Sequence, residues 1–118
     1  MQLLTDELRK EFEKFPLYSQ DGKGKDSTVV CKFFMPVGRG TFYATEGSPQ
    51  EDGDFLFFGY IILFDNEWGY FTLSQLEEIK IPVEIEGLGS GLVTMERDLY
   101  LPVAELTVSE ALKEDGIE

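Results

Sequence analysis

Residues 55–64, FLFFGYIILF, constrain the fold more tightly than any other part of the chain. Ten uncharged residues are about half of what a helix needs to cross a bilayer. Their aromatic and β-branched content suits a strand, and a strand that is apolar on both sides must be covered on both sides. The run therefore predicts the central strand of a sheet, either buried on both faces or covered by a helix on one face and by loops on the other.

The flanking segments supply the rest of an α+β domain. Thr5 is placed to cap a helix whose apolar residues Leu4, Leu8, Phe12 and Phe15 recur at helical spacing, and Pro16 stops it. Residues 19–27, SQDGKGKDS, read as a flexible loop. Residues 28–35 and 40–46 read as an antiparallel hairpin, residues 47–54 as a turn region, and residues 68–71 as a short strand. Thr72 and Gln75 form a capping-box pattern that opens a helix over 73–80, with Pro82 beyond it. Strands near 83–86 and 92–101 follow, separated by the loop Gly87-Leu88-Gly89-Ser90-Gly91. A second capping box, Thr107 to Glu110, starts a short terminal helix that fits Gly116 at its end. The expectation is one domain over 1–118 with an antiparallel sheet of five to six strands and three helices, the tail from about 107 lying at the periphery. At 118 residues such a chain buries roughly two-thirds of its unfolded surface.

Charge narrows the partners. The net charge is −13. Residues 1–39 hold six acids and seven bases, whereas residues 40–118 hold seventeen acids and three bases. A surface of that sign repels phosphate backbones and anionic membranes, so direct nucleic-acid or membrane binding is not expected and a basic protein partner is. The first residues show no signal-peptide pattern, and one cysteine closes no internal disulfide, so the expected location is the cytoplasm.

Chemistry is sparse. The chain has no histidine, which removes the commonest neutral-pH base, the nucleophile arrangements that depend on it, and imidazole metal ligands. Cys31 lies in an apolar strand and reads as a core residue. Glu51, Asp52 and Asp54 crowd a turn without the ligand spacing of a calcium loop. The glycines at 87, 89 and 91 lack the third glycine and the Lys-Ser/Thr of phosphate-binding loops. No catalytic residue, metal site or cofactor is expected. Glu96 and Asp98 share one strand face with Arg97 on the other, an arrangement that is usually structural but also fits an anion clamp. Tyr43, Tyr60, Trp68, Tyr70 and Tyr100 are amphipathic aromatics of the kind found at contact hot spots, and more often core residues.

Several segments taken in order resemble the domain-of-unknown-function 2958 family. They are Leu3-Leu4-Thr5-Asp6-Glu7-Leu8, the strand running into Met35-Pro36, Thr41-Phe42-Tyr43-Ala44-Thr45-Glu46, Phe57-Phe58-Gly59-Tyr60, the stretch from Glu67-Trp68-Gly69-Tyr70 to Leu76-Glu77, and Glu96-Arg97-Asp98-Leu99-Tyr100. The resemblance covers residues 1 to about 106; the chain departs from the pattern at 87–91 and after Thr107. It implies a small bacterial protein of the sort carried by plasmids, conjugative elements and prophages, and it brings no catalytic residue set.

Two functional expectations stand side by side. One is a mobile-element accessory module whose carboxylates engage a basic, nucleic-acid-binding protein of host or element origin. The other is a small-ligand or divalent-metal site in a Tyr/Glu/Arg-lined pocket. The binding candidates are Tyr43, Glu46, Glu67, Trp68, Tyr70, Glu96, Arg97 and Asp98.

Overall fold

A computed structural model describes all 118 residues. In chain order the elements are α1 (Asp6–Phe12), β1 (Cys31–Phe34), β2 (Thr41–Pro49), β3 (Phe55–Ile62), β4 (Asn66–Thr72), α2 (Leu73–Glu78), β5 (Lys80–Ile85), β6 (Gly89–Thr94), β7 (Glu96–Arg97) and α3 (Val108–Glu114). Five strands form an antiparallel sheet in the order β4-β3-β2-β1-β7, and β5 and β6 pair only with each other. The fold is α+β, and no helix is long and apolar enough to cross a membrane.

Alternation along the strands sorts the core into two clusters. Phe33, Phe42, Phe57, Ile61 and Phe71 point to one face, where Leu8 and Phe12 of α1 and Leu76 of α2 cover them. The Phe12 ring stands 5.4 Å from those of both Phe55 and Phe57. Tyr43 and Tyr60 point to the other face, against Val108, Ala111 and Leu112 of α3. Each fully buried side chain of this size contributes roughly 1.5–3 kcal/mol.

The helices start where their side chains cap them. Thr5 accepts from the Leu8 amide, and both capping boxes, at Thr72/Gln75 and Thr107/Glu110, are formed. Asp54, at the end of the turn before β3, reaches the first turn of α2: its Oδ1 accepts from the Ser74 amide at 3.1 Å and its Oδ2 from the Ser74 hydroxyl. The Ser74 hydroxyl and then the Phe55 amide hold the Asp54 carboxyl below the usual aspartate range. A depressed pKa means the contact is complete above the unfolded value, about 3.9, and is lost as pH falls through the folded one. Carboxyl-carbon NMR of Asp54 is expected to show a midpoint below 3.9; one at or above it would mean that Ser74 does not hold the ionised group.

The structure corrects several expectations. The tail from 107 is not peripheral: Val108, Ala111 and Leu112 are fully buried, and Thr28 bridges Thr107. The strand expected over 92–101 breaks at Met95, so that β6 stays with the hairpin and β7 joins the main sheet. Gly89 and Gly91 lie in β6 rather than in a loop. The apolar strand expected at the centre ends at Ile62, leaving Phe64 93 % exposed, and it is second in the sheet order: β2 takes the middle place, because β1 and β7 add two strands on its far side. The second helix ends at Glu78, because Ile79 already has the extended backbone that leads into β5. The loop over 19–27, expected to be mobile, is fastened to the sheet by Glu46 and Gln20.

Candidate functional site

A bulge in β2 decides which side chains meet. Ala44 pairs with Gly59 and Glu46 with Phe58, leaving Thr45 as the extra residue. Strict alternation would put Glu46 on the same face as Phe42 and Ala44; the extra residue turns it to the face that carries Tyr43, Phe58 and Tyr60. There the buried Glu46 carboxylate accepts from the amides of Tyr18 and Gln20, each at 2.8 Å. Gln20 completes the tie, donating to the carbonyls of Thr28 and Thr45 and accepting from the Thr28 amide. Tyr18 adopts a φ of 72° at this point, a left-handed conformation held by the bond its amide makes to Glu46.

Four of the sequence candidates, Tyr43, Glu46, Trp68 and Tyr70, therefore share one sheet face. They extend into a row of rings: Tyr60 meets Trp68 edge-on at 5.1 Å, Trp68 lies nearly parallel to Phe58 at 5.9 Å, and Phe58 contacts Tyr70 at 4.9 Å. Contact with the Tyr18 hydroxyl, followed by partial burial and the charges of Asp21 and Glu46, raises the Tyr70 phenol above its ordinary value.

At the α3 end of the row, the Tyr43 hydroxyl donates to Asp115. Lys32 lies 2.9 Å from Asp115 and 3.5 Å from Asp98. Burial, and then the bond to Asp115, push the Tyr43 phenol far up, so it stays a donor at any ordinary pH. Asp98 is thus half of a lysine clamp that joins the loop after β7 to α3.

The remaining candidates lie apart. Glu67 pairs with Ile61 on the opposite face of β4 and is exposed. Glu96 and Arg97 belong to β7, at the other edge of the sheet. Four strand spacings, roughly 19 Å, separate the two edges, so Glu67 and Tyr70 do not share a pocket with Arg97. Arg97 and Asp98 do line a cavity of about 330 Å³ together with Glu7, Glu11 and Leu8. One terminal nitrogen of Arg97 is committed to the carbonyls of Gln2 and Leu3, which pins the N-terminal segment. Cys31 borders the same cavity, and burial raises its thiol well above the reactive range. No three His, Cys, Asp or Glu side chains converge as metal ligands.

Charge is distributed unevenly over this frame. Residues 50–94 hold nine acids and one base, Lys80. None of the nine takes part in an ion pair; the acids that do are Glu11, Asp98, Asp115 and Glu118. The Asp54–Ser74 contact brings the turn 50–54 against α2, which carries the exposed Glu77 and Glu78, and β5 follows with the exposed Glu84. Glu86, also exposed, stands in the turn at the hairpin tip.

Fold and surface together define a small α+β domain, a five-stranded sheet between helices beside a separate two-stranded hairpin, with an unneutralised acidic tract and an aromatic row. The chain matches the family described as "Protein of unknown function (DUF2958)" over residues 3–113 and belongs to it. The match runs past the 106 expected from the sequence and includes most of α3. No curated protein and no solved structure matches the chain.

Proposed function

We propose that the domain is a protein-binding module that engages a basic, nucleic-acid-binding protein, in the mobile-element setting that the family resemblance implies. Its binding surface is the acidic tract formed by the turn 50–54, α2 and the β5–β6 hairpin. One observation carries this reading: the tract holds seven carboxylates, Glu51, Asp52, Asp54, Glu77, Glu78, Glu84 and Glu86, and none is neutralised by a cation of the chain. Unpaired like charges on adjoining elements repel one another, and a partner that supplies the opposite sign relieves that repulsion. Exposed carboxylates offer such a partner negative charge of the sign that it meets on a phosphate backbone. Association through them is fast and falls with salt.

The test compares two reversals of equal size. E77K/E78K/E84K/E86K changes the tract; E7K/E13K/E105K/E114K changes exposed acids elsewhere. Fluorescence anisotropy with a lysine-rich peptide in low salt is expected to show at least about tenfold weaker binding for the first set and under about threefold for the second. Equal losses would mean that net charge alone attracts the peptide and that the tract is no binding surface.

A further inference from the structure

The aromatic row is graded by how the chain's own cations use it. Lys32 stands over Tyr43 at 5.6 Å, and Lys25, held by Glu118, stands over Tyr60 at 5.5 Å. The next two rings, Phe58 and Trp68, are approached by no lysine or arginine of the chain. They line instead, together with Asp21, Gly22 and Gly24, an open hollow of about 200 Å³. Neither glycine has an atom within 4 Å of where a Cβ would stand, so the backbone here is uncrowded. The volume is below the 300–1,000 Å³ of small-molecule pockets and suits a single side chain.

The hollow is also held in shape. Its loop is fixed by the two bonds of Glu46 and the three of Gln20 described above, and its aromatic wall belongs to β3 and β4. Phe58 and Trp68 stack nearly parallel to each other, at 12°, and both line the hollow, so that a ring is there for a flat cation to stack on, while Asp21 brings the opposite charge. A guanidinium fits this combination better than an ammonium, because it is planar, weakly hydrated and stacks on rings.

We infer that the hollow between Asp21, Gly22, Gly24, Phe58 and Trp68 is a binding site for one arginine side chain of a partner protein. It extends the reading of a basic partner from surface charge to a receiving site for one residue, and it lies outside the acidic tract.

Trp68 is the only tryptophan, so its emission and its indole N–H resonance report on this site alone. Titration with N-acetylarginine amide at low ionic strength is expected to shift the indole N–H saturably, with a Kd on the order of 10 mM for one cation–ring contact. The corresponding lysine amide binds several-fold more weakly, and the neutral citrulline amide gives no saturable shift. Asp21 is exposed, so D21N folds, and it is expected to weaken the arginine compound about threefold. Equal shifts from arginine and citrulline, or from arginine and lysine, would overturn the inference, as would an unmoved resonance. A monovalent compound cannot span the acidic tract, so E77K/E78K/E84K/E86K is expected to bind it within about twofold of the parent at moderate salt. Loss of arginine binding in that variant would place the site elsewhere, whereas loss of peptide binding alone leaves the arginine site intact.

Discussion

Alanine at position 59 is expected to destabilise the domain by about 3 kcal/mol or more, a large share of the roughly 5–15 kcal/mol that holds a domain of this size. A Cβ on Gly59 would stand 2.0 Å from the Tyr43 carbonyl oxygen and 3.1 Å from the Ala44 Cα. Those atoms are backbone in the central strands, so no rotamer change relieves the clash; β2 and β3 must separate where the bulge brings them together. Gly69, opposite Gly59 on β4, is the internal control. Its Cβ would meet only the end of the Ile61 side chain at 3.4 Å, so G69A is expected to change stability by under about 1 kcal/mol. Urea unfolding of both variants decides the matter. Similar midpoints would show that the strands do not approach as described.

Glu46→Gln is expected to cost about 2 kcal/mol and to act locally first. The carboxylate accepts two amides with two oxygens; an amide side chain offers one oxygen and sets an N–H₂ against the other donor, leaving it unpaired in a buried place. Hydrogen exchange at Tyr18 and Gln20 is therefore expected to accelerate more than exchange in β3. Binding of N-acetylarginine amide should weaken in the same variant, because the loop that walls the hollow is released. Undiminished protection of both amides would show that Glu46 does not hold the loop.

How far the sequence reveals this molecule depends on the kind of signal. The apolar run 55–64 marks an interior strand of the sheet, though not the middle one, and the two S/T-x-x-E/Q patterns mark α2 and α3, because period and capping are local properties. The bulge at Thr45 leaves no comparable mark. It arises from how β2 lies against Gly59, and it decides whether Glu46 faces the phenylalanine core or the loop. For the same reason Tyr18, Gln20, Asp21 and Phe58 were not among the sequence candidates, although they build the loop and the hollow: their meeting depends on contacts 26 to 28 residues apart. The one available hint was Phe58-Gly59-Tyr60, a glycine within an aromatic strand, which signals close backbone approach. Glu67 and Arg97 illustrate the converse. Each stands among polar and aromatic neighbours in sequence, yet strand order sends them to opposite edges.

The acidic tract is tested most directly by following backbone amide resonances during titration with the lysine-rich peptide. The account predicts that shifts concentrate at Glu51, Asp52 and Asp54, along Glu77 and Glu78, and at Glu84 and Glu86, and that they fade as salt rises. Shifts spread evenly over exposed acids, including Glu105, Glu110 and Glu114 near and on α3, would contradict it.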